Sequence, residues 1–176
     1  SANPVLSIRK EGNTPAWGAV YEQYFQEIDK VKGQKGVLSV EKKLFVETNN
    51  GTNRQIRPVT PEQPLRIGDK VIVRLTIRTD REMNYVFLKD LRAGCFEPAD
   101  QLSGPESRDG IWYYRSPKDV SENFFINRLP EGTFVLEYPV YVSRSGEYAG
   151  GISTIQCMYA PEFVSHTAGE SLRIMP

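Results

Sequence analysis

His166 is the only histidine in the chain, so a nucleophilic site of the Ser-His-Asp or Cys-His kind would depend on it. It lies in Ser165–Gly169, a segment of small and polar residues that is typical of a loop. Zinc sites need clustered donors, and one histidine with scattered carboxylates does not supply them. We therefore predict that the chain is not an enzyme and has no catalytic residue, no cofactor and no metal centre.

Loop carboxylates are the remaining candidates for binding a cation. Asp100, Glu106 and Asp109 are close in sequence, but they lack the spacing of an EF-hand. We interpret them as solvated loop charges. The pair Gly150-Gly151 lacks the rest of a phosphate-binding loop and indicates a tight turn instead.

The two cysteines, Cys95 and Cys157, admit three interpretations: free buried thiols, a disulfide, or a reactive nucleophile. Neither is flanked by a histidine or a basic cluster that would stabilise a thiolate, so a reactive nucleophile is the least favoured. Buried thiols and a disulfide are equally compatible with the sequence.

The densest aromatic run is Ile111-Trp112-Tyr113-Tyr114-Arg115. Successive residues of a strand point to opposite faces, so at most alternate members of this run are exposed together. Aromatic residues among apolar neighbours belong mainly to cores, and we predict a core position for this run. An exposed aromatic platform that contains Trp112 would instead indicate a free-standing extracellular adhesion or carbohydrate-binding module, which we keep as one possible function of the chain.

Charge and hydropathy exclude two classes of partner. The 22 basic residues balance 22 acidic ones, so no net field attracts nucleic acid. No apolar run approaches the roughly 20 residues that a membrane span requires, so we expect no direct membrane insertion by this segment. With 176 residues, the chain has room for one domain with a sizeable core.

Alternating apolar residues predict the strands that position these side chains. Every second residue is apolar in Val71–Ile77 and in Phe134–Val142, which is the period of a strand with one buried face. A Gly- and Ser-rich turn at Ser143–Gly151 then leads to an alternating run, Ile155–Tyr159, which predicts a hairpin. Pro139 cannot donate to a sheet ladder, so its strand should lie at an edge or carry a bulge.

Turn signals recur between these runs, as at Asn49–Asn53, where Asn-Gly favours a tight turn. Such spacing predicts an antiparallel β-sandwich at about Val37–Ile174. The segment Trp17–Val31 differs, because its apolar residues fit helical spacing better than strand spacing.

Three segments, in order along the chain, carry a resemblance to known proteins. They are Trp17-Gly18-Ala19-Val20-Tyr21, Leu65–Val73, and Cys157–Phe163 followed by Thr167–Glu170. Together they resemble the C-terminal, tenth macroglobulin-like domain of bacterial alpha-2-macroglobulins, which is similar to the receptor-binding domain of animal relatives. The resemblance implies an all-β fold: a macroglobulin- or immunoglobulin-like antiparallel sandwich in residues 35–176. It also implies that residues 1–34 are a strand pair and linker from the preceding module, which replaces the helix at Trp17 with a strand.

The resemblance further implies a role in protease trapping. In that family a bait region is cleaved, a large rearrangement follows, and a Cys–Gln thioester in some members captures the protease. Neither cysteine of this chain lies in a Cys-Gly-Glu-Gln-type motif, so the domain cannot trap a protease alone. The implied partners are the thioester domain, which this non-catalytic domain would pack against and shield, and target proteases through the full-length protein. The implied location is the periplasm or cell envelope, with a parent that a lipid could anchor.

Met158 matches the family's shielding methionine, and Tyr159 lies beside it. An apolar lid makes physical sense because thioester hydrolysis needs water at the acyl carbon. Since Tyr159 shares parity with Ile155 and Cys157, we expect Met158 to face outward while Tyr159 anchors the core. The alternative is that both residues simply end a core strand.

Overall fold

The computed structural model describes residues 6–18, 20, 24–50 and 53–176, and these residues contain fourteen strands, one 3-10 turn (Ile28–Lys30) and no α-helix. The strands are β1 (Ser39–Asn50), β2 (Asn53–Pro58), β3 (Leu65–Arg66), β4 (Lys70–Thr79), β5 (Met83–Leu91), β6 (Phe96–Pro98), β7 (Gly104–Arg108), β8 (Ile111–Pro117), β9 (Ser121–Leu129), β10 (Gly132–Val142), β11 (Gly146–Ala149), β12 (Ser153–Cys157), β13 (Ala160–His166) and β14 (Ser171–Met175). The predicted all-β fold is confirmed.

Two antiparallel sheets form the sandwich. One has five strands in the order β2-β1-β4-β10-β6, and the other has six in the order β13-β12-β5-β9-β8-β7. A small third sheet, β11-β14-β3, contains a parallel pair between β14 and β3. The antiparallel sandwich predicted from alternation and turns is confirmed.

The core lies between the inner faces of the two large sheets, as the alternation in the sequence requires. The five-stranded sheet contributes inward residues of β4 and β10, and the six-stranded sheet contributes those of β5, β9 and β12. The buried set includes Val71, Val73, Leu75, Ile77, Leu136, Tyr138, Val140, Val86, Leu88, Phe124, Ile126 and Ile155.

The carboxylate of Asp90, on β5, joins the two sheets from a fully buried position. Its Oδ1 accepts hydrogen bonds from Lys42 Nζ at 2.7 Å and from Ser153 Oγ at 2.8 Å, and its Oδ2 accepts one from the Tyr138 hydroxyl. Lys42 also donates to two backbone carbonyl groups. Burial and the neighbouring Asp90 carboxylate raise the pKa of Tyr138 well above its ordinary value, so Tyr138 remains a donor. The buried charge is therefore paired and hydrogen-bonded, as burial demands.

Both cysteines are free and buried, so the thiol interpretation is confirmed over the disulfide. Burial raises the pKa of the Cys95 thiol to about 11, which keeps it protonated at neutral pH. The Cys157 thiol donates to the carbonyl oxygen of Asn84 at 3.3 Å.

The predicted hairpin between Phe134–Val142 and Ile155–Tyr159 is wrong. The first run forms β10 in the five-stranded sheet and the second forms β12 in the six-stranded sheet. Between them β11 pairs with β14 instead. A period of two tells which residues share a face, but it does not identify the strand that pairs with them.

The prediction that the strand of Pro139 lies at an edge or carries a bulge is wrong for the strand as a whole, because β10 lies between β4 and β6 and its register with β4 is unbroken. On one side β10 pairs with the short strand β6 only at Val140–Val142. The Pro139 carbonyl accepts from the Ala99 amide at 3.4 Å on that side, so the Pro139 nitrogen also points towards this thinly covered edge.

No strand forms in the described part of residues 6–38 apart from an isolated bridge at Gln34. The N-terminal strand pair, expected as part of a preceding module in residues 1–34, stays a prediction. Within the matching segment Trp17–Tyr21, residues 19 and 21 lie outside the described residues. Trp17 is 95% exposed, and none of the described segments pairs with its backbone. A strand needs a partner for its N–H and C=O groups, and the described residues offer none to Trp17. The division of the chain at residue 34 stays a prediction.

Residues 28–34 nevertheless lie against the end of β13 and the loop that follows it. Gln34 and His166 exchange backbone hydrogen bonds of 2.9 and 3.0 Å, and the Gly169 amide donates to the Val31 carbonyl at 2.8 Å. A Cβ added at Gly169 would lie 1.7 Å from the Ile28 carbonyl oxygen. Only glycine allows this close approach.

Replacing Asp90 by alanine should destabilise the domain by about 3–5 kcal/mol, because Lys42 and Tyr138 would lose a buried partner. Asp100→Ala is the control, since its carboxylate is 45% exposed and a surface ion pair contributes about 0–1 kcal/mol. Urea unfolding of both variants measures the difference. Equal losses would show that Asp90 does not hold the sheets together.

Replacing Gly169 by alanine should detach residues 28–34 from the domain, because the new methyl group would overlap the Ile28 carbonyl. Hydrogen exchange at the Gln34 amide should then speed up, while exchange in β4 stays slow. Gly104→Ala is the control, since a Cβ there meets nothing within 4 Å. Unchanged protection of Gln34 in the Gly169 variant would contradict the close approach.

Candidate interdomain surface

Met158 and Tyr159 form the turn between β12 and β13, and both are exposed, by 52% and 81%. The expectation that Tyr159 anchors the core is wrong, and so is the alternative that both residues end a core strand. The pairing of β12 with β13 shifts register at Gln156/Cys157, so the strand parity that buries Ile155 does not continue to Tyr159. The outward position expected for Met158 is confirmed.

Local contacts hold this turn in place. The Met158 amide donates to the Tyr85 carbonyl at 2.9 Å, and the Tyr159 ring meets the Tyr85 ring edge-to-face at 5.2 Å. Gln156 Nε2 lies 3.7 Å from the Met158 sulfur.

Tyr85 has a φ of 55°, which is a rare backbone conformation for a bulky residue. A residue held there costs on the order of 1–3 kcal/mol and persists only where its surroundings fix it. The strained residue is therefore the one that carries both contacts to the Met158–Tyr159 turn.

Two phenylalanines extend this surface across the sheet. Phe87 on β5 stacks on Phe125 on β9, with ring centroids 4.9 Å apart. A shallow cavity of about 280 Å³ lies among Tyr85, Phe87, Phe125, Met158 and Tyr159. We call these five residues the Met158 patch. Contiguous apolar side chains on a surface mark contact sites more often than isolated ones do.

The outer face of the five-stranded sheet has the opposite character. Directly opposed positions there carry ion pairs, with Arg74 Nε 2.6 Å from Glu137 and Lys70 Nζ 3.0 Å from Glu47. Such a face suits solvent, whereas the aromatic outer face of the six-stranded sheet does not.

The predicted core position of the aromatic run holds for only half of it. Ile111 and Tyr113 are buried, whereas Trp112 is 72% exposed and Tyr114 is about half exposed. The alternation predicted for the run is confirmed, but its outer members join the same aromatic face.

Sequence reasoning also missed Tyr85, Phe87 and Phe125. The available signal was the pair Phe124-Phe125, because adjacent strand residues cannot both face one core.

The remaining candidate residues have structural partners. His166 Nδ1 lies 3.1 Å from the Thr167 carbonyl oxygen, and its backbone pairs with Gln34. Among the described residues, no group of three or more His, Cys, Asp or Glu side chains could hold a metal ion.

The loop carboxylates are engaged by protein groups and are not simply solvated. Arg115 Nη1 lies 3.4 Å from Asp100 and 3.5 Å from Glu106, and its Nε donates to the buried Glu122 at 2.6 Å. Asp109 accepts a hydrogen bond from the Val135 amide at 3.1 Å. Between Asp100 and Glu106, the Arg115 guanidinium thus takes the place that a bound cation would need.

Comparison with solved structures finds the same fold in much longer proteins. Salmonella alpha-2-macroglobulin reacted with methylamine matches 82% of this chain, with a TM-score of 0.64 and 21% identity, and the match covers 10% of that chain. Native Escherichia coli alpha-2-macroglobulin, from domain MG7 to the C-terminus, matches 82% of this chain, with a TM-score of 0.63 and 16% identity, and the match covers 24% of that chain. The E. coli protein activated by porcine elastase matches 82% of this chain, with a TM-score of 0.64 and 18% identity, and the match covers 14% of that chain.

Sequence comparisons give a relative and a family. The Circularly permutated Ras protein 2 of Dictyostelium discoideum is 28% identical over 109 residues, which are 62% of this chain and only 3% of that protein. A family model described as the Bacterial Alpha-2-macroglobulin MG10 domain matches residues 38–162. Since this match covers well over half of the sequence, the chain belongs to the bacterial alpha-2-macroglobulin MG10 domain family.

Proposed function

We propose that this domain is a non-catalytic part of a bacterial alpha-2-macroglobulin-like protease-trapping protein, where it packs against the thioester domain through the Met158 patch. Met158 and Tyr159 would cover the thioester and keep water from its acyl carbon. Target proteases would meet the domain only through the full-length protein. The observation that carries the proposal is the exposure of both side chains on a turn that is held in a fixed position.

The chemistry of the patch suits such a lid. Methionine is flexible and polarizable, so its side chain can adapt to an apolar partner, and an aromatic neighbour adds buried area at little conformational cost. Removing apolar surface from water contributes roughly 25 cal/mol per Å². Since Tyr85 fixes the turn before any partner arrives, docking requires little further ordering of these residues.

Several comparisons support this assignment. The Salmonella relative was solved after reaction with methylamine, a small nucleophile, and the E. coli relative after activation by a protease. Because the chain matches between 10% and 24% of those chains, neighbouring domains are available there as partners.

We place the parent protein in the periplasm or cell envelope, where a lipid could anchor it. Within the part of the chain that the structure describes, no helix is long and apolar enough to cross a membrane.

A carbohydrate-binding or adhesion module is the second candidate, and the exposure of Trp112 favours it. A module of that kind binds glycans as an isolated domain through a ring that stacks on the sugar. Measurable affinity of the isolated chain for soluble polysaccharides, lost in Trp112→Ala, would establish this function instead.

Replacing Met158 by alanine should change the free energy of unfolding of the isolated domain by no more than about 0.5 kcal/mol, because the side chain is half exposed. In a full-length parent that carries a thioester, the same change should speed thioester hydrolysis several-fold. Urea unfolding and the rate of thiol release measure the two effects.

Met83→Ala is the matched control, because Met83 is buried and its truncation should cost about 2–5 kcal/mol. If Met158→Ala unfolds the isolated domain and leaves the thioester lifetime unchanged, Met158 has a structural role and the shielding proposal fails.

A further inference from the structure

Two opposite charges occupy inward-facing positions of the sandwich, where strand alternation places apolar residues. On β1, Lys42 lies in the inward series that contains the buried Val40 and Val46, and on β5 Asp90 follows the buried Leu88. The side chains of Lys42 and Asp90 are 11% and 0% exposed. Apolar residues in place of a buried ion pair often leave a protein equally stable, so stability alone gives little reason for this pair.

The Lys42 amine is held against the Asp90 carboxyl group by several fixed partners. Its Nζ lies 2.7 Å from Oδ1 of Asp90, and it also donates to the carbonyl oxygens of Leu91 at 3.0 Å and Gly150 at 3.3 Å. Reacting groups that a structure orients in contact reach effective concentrations of roughly 10⁵ M or more. The fold thus brings an amine, the nucleophile of amide formation, into contact with a carboxyl group.

Two hydroxyl groups complete the surroundings of this carboxyl group. The Tyr138 hydroxyl donates to Oδ2 of Asp90, and Ser153 Oγ donates to Oδ1 at 2.8 Å. Burial raises the pKa of Tyr138 well above its ordinary value, so the hydroxyl keeps the proton that it donates. A fixed donor at a carboxyl oxygen stabilises the negative charge that develops there when a nucleophile attacks the carbon.

We propose that Lys42 and Asp90 condense to an isopeptide bond, an amide between Nζ and Cγ that joins the two sheets covalently. The ammonium group first passes one proton to Oδ1, which leaves a neutral amine and a carboxylic acid. The Nζ lone pair attacks Cγ, and the Tyr138 hydroxyl holds the negative charge that moves to Oδ2. Nζ then passes a second proton to Oδ1, the charge on Oδ2 re-forms the C=O bond, and Oδ1 leaves as water.

The reaction balances within the domain. One ammonium group and one carboxylate become one amide and one water molecule, so no oxidant, reductant or other reactant is needed. Two buried charges disappear, which removes the cost of keeping them out of water. The cross-link depends on no part of the proposed function, because every group that takes part belongs to this chain.

Two other ion pairs show why the reaction selects Lys42 and Asp90. Glu122 is fully buried, but its partners are the guanidinium groups of Arg92 and Arg115, which keep their protons and offer no lone pair. Lys70 lies 3.0 Å from Glu47, but the Lys70 side chain is 35% exposed, so water solvates its ammonium group. A lysine and a dry site are both required, and they coincide at Lys42.

Tryptic digestion and mass spectrometry of the folded chain, incubated at neutral pH, test this proposal. The intact mass should fall by the mass of one water molecule. Because trypsin does not cleave after an acylated lysine, residues 36–43 should appear in a branched peptide, joined through Lys42 to residues 90–92. Lys42→Met should show neither change, and Lys70→Met is the matched control that should still give the branched peptide.

Tyr138→Phe keeps the amine and the carboxyl group but removes the donor at Oδ2, so it should slow the formation of the branched peptide about a hundredfold. Formation at an unchanged rate would support the cross-link and refute the role of Tyr138. The full mass in the unchanged chain after prolonged incubation, together with separate peptides, would overturn the proposal. A loss of water that maps to other residues would overturn it as well.

Discussion

The buried carboxylate of Asp90 is the interaction on which the arrangement of both sheets depends. An isolated charge in the interior costs several kcal/mol, so it must be matched by partners in a fixed geometry. Here Lys42 and Tyr138 reach it from the five-stranded sheet, and Ser153 reaches it from the neighbouring strand of its own sheet. Because Asp90 must face inward, Leu88 and Val86 face inward with it, and Phe87 between Val86 and Leu88 faces outward.

Because inward and outward positions alternate along each strand, the six-stranded sheet carries aromatic residues on both of its faces. Phe124 packs near Tyr138 in the core, while its neighbour Phe125 stacks on Phe87 outside. The five-stranded sheet shows what a solvated face of this protein is like, since Arg74 and Glu137 pair across adjacent strands there. The contrast between the two outer faces lies in side-chain chemistry, because both sheets are antiparallel. This contrast is the reason for our proposal that the Met158 patch packs against a neighbouring domain.

Much of the fold could be predicted from the sequence, because alternation identifies strands and their buried sides. Val71–Ile77 and Phe134–Val142 bury the residues that the period of two selects. Alternation does not say which strands pair, so the partner of Phe134–Val142 was predicted wrongly. Its strand pairs with β4 and β6, while Ile155 lies on a strand of the opposite sheet.

The candidate surface was predictable only in part. Met158 could be found from the family resemblance, and its outward position from parity. Tyr159 could not be placed, because the strand ends at Cys157 and parity ends with it. The rest of the face depends on tertiary structure: Tyr85 adopts a left-handed backbone that no local pattern announces, and Trp112 faces away from a core that lies on the other side of its sheet.

The most direct test of the docking role is the structure of a full-length, uncleaved parent protein that carries an intact thioester. We expect the Met158 and Tyr159 side chains to lie within about 4 Å of apolar side chains of the thioester domain, the distance of van der Waals contact. Solvent over both side chains, or a different domain seated on them, would contradict that role.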